Sequence, residues 1–175
     1  WWKIGYPKYF GKMINGTNFL QLTIKVNGEQ LDLAKQEPTD FKLDLDLKKG
    51  IFTREFTAEV GGAKLHFTFE RFVSVAQKEL VGQRLHVKNL GDAEAKLEVA
   101  SVINGDVYNE DSNYDEQFWD VLEQKTAGEH ALLVSKTKPN PFGTPQFTVG
   151  VKTTTKTTLE HVGDGTTAKT AENDF

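Results

Sequence analysis

The sequence predicts an all-β chain folded as an antiparallel β-sandwich, and three observations carry that expectation. Apolar residues recur with period two, Asn or Gly turn signals interrupt the chain every ten or so residues, and no stretch shows a helical period. Nine or ten short strands follow from these signals.

The first strand opens at Phe19, where Leu20, Leu22, Ile24 and Val26 alternate with Gln21, Thr23 and Lys25. Asn27-Gly28 then predicts a tight hairpin, because both residues tolerate the positive φ of a type I′ turn, and the apolar positions resume at Leu31 and Leu33. Leu43, Leu45 and Leu47 alternate with Asp44 and Asp46 before the turn Lys48-Lys49-Gly50, which predicts a strand with the leucines inward and the acids outward. Further strands are expected over Ile51–Val60, closed by Gly61-Gly62, then over Ala63–Val73 and Gln83–Lys88. After the turn Asn89-Leu90-Gly91-Asp92 comes Ala95–Ile103. Trp119–Lys125, Ala131–Thr137 after Gly128, and the Thr-rich Gln146–Leu159 complete the set, β-branching favouring extended backbone in the last. Lys138 to Pro145 holds three of the five prolines and reads as a rigid surface loop. Residues 163–175 are small and polar and read as a loop or frayed end.

Composition narrows the function classes. The 175 residues carry a net charge of -4, which argues against a general nucleic-acid binder. No apolar run approaches the ~20 residues of a membrane helix. With no cysteine, disulfides, thiolate zinc sites and thiol nucleophiles are all excluded, as suits a reducing compartment. The chain opens on Trp1-Trp2 without a leader pattern and reads as a piece of something longer.

Several constellations merit weighing as sites. Asp44 and Asp46 share a strand face at about 6.6 Å, near the spacing of glycosidase carboxylates, yet their setting between Lys42 and Lys48 is that of a solvated face. Glu55 and Glu59 stand about 13 Å apart, too far to flank one glycosidic bond. Residues 104–123 hold Asp106, Glu110, Asp111, Asp115, Glu116, Asp120 and Glu123 without a Lys or Arg, so the rest of the chain carries +3. Asp111, Asn113 and Asp115 imitate the start of a calcium loop, but Glu116 replaces its glycine and Leu122 its closing glutamate. This segment reads instead as a solvated or interface loop, with Tyr114, Phe118 and Trp119 as interface candidates among the charges. His66, His86, His130 and His161 show no ligand spacing, so neither metal nor cofactor is expected. Trp1, Trp2, Tyr6, Tyr9 and Phe10 place five of the 19 aromatics in the first ten residues. They could stack on a sugar, pack against another domain or enter an ordinary core.

Taken together, these segments resemble one family. Trp1-Trp2-Lys3, Gly5 to Lys12, Asp44–Leu47 with Gly50, Arg71 to Gln77, Asn113 to Glu116 with Phe118 to Asp120, and Pro139–Pro145 are similar to the N-terminal β-sandwich of glycoside hydrolase family 65, in its maltose phosphorylase branch. The resemblance implies a cytoplasmic homodimeric parent that turns maltose and phosphate into β-glucose 1-phosphate and glucose with inversion. In such a parent a glutamic acid protonates the glycosidic oxygen while phosphate attacks from the opposite face. It further implies that residues 1–175 are one sandwich domain, part of a larger super-sandwich truncated on its N-terminal side. The partnering (α/α)6 barrel, and with it every catalytic residue, lies outside this sequence. The rival reading is a free-standing carbohydrate-binding sandwich that uses the Trp1–Phe10 aromatics.

Overall fold

A computed structural model describes residues 13–109, 117–141 and 143–157, with the backbone of residues 173 and 174. Among the described residues the chain is all-β, with eleven strands and no helix. In chain order these are β1 (Asn18–Val26), β2 (Glu29–Gln30), β3 (Thr39–Asp46), β4 (Ile51–Val60), β5 (Ala63–Val73) and β6 (Val81–Asn89). Then come β7 (Leu97–Asn104), β8 (Trp119–Ala127), β9 (His130–Thr137), β10 (Thr148–Thr154) and β11 (Asn173–Asp174). The sheets have the orders β11-β7-β1-β2, β3-β4-β5-β6 and β10-β9-β8. The sheets of hairpin-linked neighbours are antiparallel, the β-sandwich class that the period-two pattern predicts. One departure from the expectation is β11, which pairs parallel to β7 through Asn173↔Ser101 and Asp174↔Val102 inside the segment expected to be loop.

Two compact units divide the chain: Thr23–Val99, and Trp1–Leu22 with Ala100–Phe175. In the first, Asn27 and Gly28 adopt φ of 50° and 87°, and Lys25 faces Gln30 across the predicted hairpin. β2 ends after two residues because Asp32 turns the chain away. Its carboxylate accepts from the Ala34 amide at 3.0 Å, and its carbonyl accepts from the amides of Lys35 and Gln36. Leu31 and Leu33 therefore lie outside any strand.

The β3–β6 sheet is a run of hairpins, with β4 and β5 in unbroken register from Phe52↔Arg71 to Val60↔Ala63. Since opposed residues share a face, one face carries Phe52, Arg54, Phe56, Ala58 and Val60 of β4 and Leu65, Phe67, Phe69 and Arg71 of β5, with Leu85 and Val87 of β6. Phe56, Ala58, Val60, Leu65 and Phe67 are buried there, and Phe56 stacks on Phe67 with ring centroids 5.2 Å apart. The expectation that Leu43, Leu45 and Leu47 point into a core is overturned. Leu43 and Leu45 lie on the apolar face, opposite Arg54 and Phe52, but are 56% and 57% exposed, and Leu47 sits exposed in the turn. Alternation sorts residues between faces; it does not say whether a face is covered, and β3 is the sheet's edge strand.

In the second unit β9 is the middle strand of the β10-β9-β8 meander, with Ala131, Leu133, Ser135 and Thr137 on its buried face. Ile103, Ala131 and Leu133 form a core cluster against which Phe19 and Val151 pack. Trp119 is buried, meets Phe147 edge to face at 5.4 Å, and donates its indole N–H to the Asn15 carbonyl at 2.7 Å. The Thr-rich strand spans Thr148–Thr154 within the expected Gln146–Leu159, of which residues 158 and 159 lie outside the described residues. The Gln146 side-chain amide donates to the Thr137 carbonyl at 2.6 Å, and the Thr137 amide donates to the Phe147 carbonyl.

Candidate functional site

The paired carboxylates of β3 resolve into a turn device. Asp46 Oδ1 accepts from the backbone amides of Lys48 and Lys49, both at 3.0 Å, while the Lys49 ammonium lies 3.4 Å from Oδ2. The Lys49 backbone bond, foremost among these contacts, holds the Asp46 carboxyl below its ordinary value, against desolvation, which is next in size and opposes it. That is the wrong direction for a general acid, which must keep its proton near neutrality. Asp44 lies opposite Thr53 on the polar face, so the two acids offer no matched acid and base.

Two of the histidines make cross-strand contacts. His66 Nδ1 lies 3.2 Å from the Thr57 hydroxyl and His130 Nδ1 lies 2.9 Å from the Thr154 hydroxyl, each a cross-strand pair. His161 lies outside the described residues. No cluster of metal-binding side chains occurs among the described residues.

Of the acidic segment, Asp111, Tyr114, Asp115 and their neighbours from 110 to 116 lie outside the described residues. On its flanks, Asp106 accepts from the Gln117 side chain at 2.7 Å, and Glu123 pairs with Lys125. Phe118 and Trp119 are both buried within this chain, and the exposed apolar side chains beside them are Val121 and Leu122. Trp1, Trp2, Tyr6, Tyr9 and Phe10 also lie outside the described residues.

What the sequence reading missed is a pair of arginines on the apolar face of the β3–β6 sheet. Arg54 faces Phe69 and Arg71 faces Phe52 across the β4–β5 ladder. The Arg54 guanidinium lies 4.4 Å from the Phe69 ring centre and 5.7 Å from that of Phe56; that of Arg71 lies 4.7 Å from Phe52. Each contact of this kind is worth about 0.5–2 kcal/mol, according to desolvation. Burial, and after it the like charge of Arg71, lowers the pKa of Arg54, whose Nε is buried without a hydrogen-bond partner. No carboxylate pairs with either guanidinium among the described residues; the nearby Glu70 is engaged with Arg84 on the opposite face. The signal was present in the sequence as Phe52-x-Arg54-x-Phe56 and Phe67-x-Phe69-x-Arg71, an arginine in an apolar slot of a period-two strand.

Among the described residues none of these constellations pairs a proton-holding acid with a base or gathers metal ligands. Residues 1–174 match the family model described as glycosyl hydrolase family 65, N-terminal domain, and the chain belongs to that family. The maltose phosphorylase of Bacillus subtilis (strain 168) is 42% identical over 150 residues, which span 85% of this chain and 20% of that protein. A solved structure described as a kojibiose phosphorylase from the human microbiome shares the fold with a TM-score of 0.58 at 23% identity, over 81% of this chain and 20% of that one. The chain thus spans about a fifth of the length of the relatives it matches.

Proposed function

We propose that residues 1–175 are the N-terminal sandwich domain of an inverting disaccharide phosphorylase, which converts maltose and phosphate into β-glucose 1-phosphate and glucose. The observation that carries this reading is the 42% identity, over 85% of the chain, to a maltose phosphorylase whose matched part is one fifth of its length. The domain supports a catalytic (α/α)6 barrel elsewhere in the parent and contributes to a cytoplasmic homodimer. Membership in an N-terminal domain family favours this reading over a free-standing carbohydrate-binding module. Trp1, Trp2, Tyr6, Tyr9 and Phe10 serve as interdomain or carbohydrate-facing aromatics, and the segment of Tyr114, Phe118 and Trp119 is an interface element, with the buried Phe118 and Trp119 anchoring it to its own domain rather than meeting the partner.

The full-length protein should release glucose 1-phosphate from maltose and phosphate, and the 175-residue chain alone should release none. Asp44→Asn and Asp46→Asn should leave turnover of the full-length protein unchanged, since neither acid has the environment of a catalytic group. Failure of the full-length protein to phosphorolyse maltose overturns the substrate assignment. Turnover by the short chain that either Asn variant abolishes overturns the assignment of a purely supporting role.

A further inference from the structure

We propose that the open half of the apolar β3–β6 face, formed by Phe41, Leu43 and Leu45 beside Arg54 and Arg71, is a docking surface. Its occupant is an apolar, carboxylate-bearing segment of the same parent polypeptide outside residues 1–175. The inference rests on the reading of this chain as one domain of a longer enzyme.

Burial is graded along this face. At one end Phe56, Phe67 and Leu65 are closed off, while at the other Phe41, Leu43 and Leu45 are 49%, 56% and 57% exposed. A single exposed leucine is ordinary, but three apolar residues in successive same-face positions of an edge strand, continuous with Phe52 and Phe69, form a patch of the kind that marks an interaction surface. Alternation places Phe41, two residues before Leu43, on this same face, where it stacks on Phe56 at 6.1 Å, and a register shift between Thr39 and Lys42, with Asp40 at φ 54°, breaks the ladder just beyond it.

Charge identifies the occupant. Among the described residues the two guanidiniums have no carboxylate partner, and one of them has an orphaned buried Nε, on an otherwise apolar surface. The part-buried Arg54 guanidinium is costly unless a carboxylate completes it, and the exposed Arg71 adds a second positive charge to the same face. A guanidinium held over an aromatic ring is preorganised for pairing with a carboxylate. A two-fold contact with a second copy would set the patch against itself, arginine to arginine. The rest of the parent is the better source, because four-fifths of the length of the Bacillus subtilis relative lies outside the matched part.

The test uses the full-length enzyme with its other cysteines, where present, replaced by serine; residues 1–175 contribute none. Leu45→Cys and, as an open control, Val75→Cys at a position 93% exposed, are modified with a maleimide, each rate being normalised to that of the denatured protein. The thiol at 45 should react at least ten times more slowly than the one at 75, independently of protein concentration. Arg54→Gln with Arg71→Gln should raise the rate at 45 several-fold without changing the far-UV spectrum. In the Arg54→Lys form a carbodiimide should join the new amine to a carboxylate outside residues 1–175, located by peptide mass spectrometry. Equal rates at 45 and 75, protection that appears only as concentration rises, an unchanged rate in the double Gln variant, or a cross-link that maps within residues 1–175 each overturns the proposal. Maltose phosphorolysis by the same preparation is scored separately. An active enzyme with an open position 45 refutes the docking surface alone, and an inactive one with a protected position 45 refutes the activity alone.

Discussion

The side-chain amide of Asn27 donates to the carbonyl of Gly61 at 2.7 Å, tying the β1–β2 turn to the β4–β5 turn. The same side chain accepts from the Lys96 amide at 2.9 Å, and the Asn27 amide donates to the Lys96 carbonyl at 2.8 Å. One residue in the left-handed region, at φ 50°, thereby joins three loops of the Thr23–Val99 unit. Asn27→Ala should lower stability by about 2–4 kcal/mol, since it forfeits two side-chain hydrogen bonds and places an alanine at positive φ. Asn27→Gly removes the bonds but not the conformational tolerance and should cost about 1–2 kcal/mol less than Ala. Urea midpoints of the two variants give the comparison; identical losses would mean that backbone conformation plays no part.

Gly61 and Gly62 should separate a steric effect from a conformational one. Both have positive φ, 57° and 72°, but a Cβ at Gly61 would run into the Val26 carbonyl oxygen, whereas at Gly62 it would meet open space. Gly62→Ala should therefore cost about 1–2 kcal/mol from the left-handed backbone alone. At Gly61 the same change adds an overpacking cost of about 1–3 kcal/mol, and the β1–β2 turn must shift to relieve it. Thermal unfolding should rank the two in that order.

The parts of this fold visible in the sequence are those set by neighbours. β4 and β5 span the predicted Ile51–Val60 and Ala63–Val73, because alternation and the Gly61-Gly62 break are both local signals. Asn27-Gly28 is legible for the same reason. The parallel pairing of Asn173 with Ser101 depends on residues some seventy positions apart and leaves no local mark. For Leu43 and Leu45 the face was legible and its coverage was not, since coverage depends on what else packs there. Arg54 and Arg71 went unread as a pair because it is the β4–β5 register that puts both on one face, each over a phenylalanine of the facing strand. Asp46, a candidate acid by spacing, proves to be a turn acceptor, a role set by the local backbone path.

Trp119 should behave as part of its own unit. Its indole is buried and hydrogen-bonded to Asn15, so Trp119→Ala should destabilise the 175-residue chain by about 3–5 kcal/mol through the cavity it leaves. Trp119→Phe keeps an aromatic ring against Phe147 and should lose less, about 1–2 kcal/mol, chiefly the N–H bond. Chemical denaturation of the short chain reads both values. An Ala variant as stable as the parent sequence would show that the burial of Trp119 contributes nothing.

Acid should weaken the β3–β4 hairpin through Asp46. Its folded pKa lies below the ordinary value, so the folded state binds this proton less readily than the unfolded chain does. The stabilisation is present above the unfolded carboxylate pKa, about 3.9, and is lost as pH falls through the lowered folded value. Asp46→Asn keeps an acceptor for the amides of Lys48 and Lys49 but has no titration. The stability gap between the two proteins should accordingly be larger at pH 7 than at pH 3, with the parent sequence the more stable at pH 7. Hydrogen exchange of the Lys48 and Lys49 amides should follow the same trend. A gap that widens on acidification would give the linkage the opposite sign.

Ser135 lies fully buried in the middle strand of its meander, and its hydroxyl has no hydrogen-bond partner among the described residues. It faces Val149 on one side and Val121 on the other, an apolar site in which a hydroxyl without a partner costs about 1–3 kcal/mol. Ser135→Ala removes the oxygen and leaves only a void smaller than a methyl group, so it should be neutral or should stabilise the chain by up to about 1 kcal/mol. Ser135→Val fills the space but adds volume beside Val121 and Val149, and overpacking should make it the less stable of the two replacements. Both variants can be compared by urea denaturation with the slope held in common. A loss of 1 kcal/mol or more in Ser135→Ala would show that the hydroxyl is satisfied in solution, by a buried water that bridges it to the strand, and that the oxygen is part of how this core holds together.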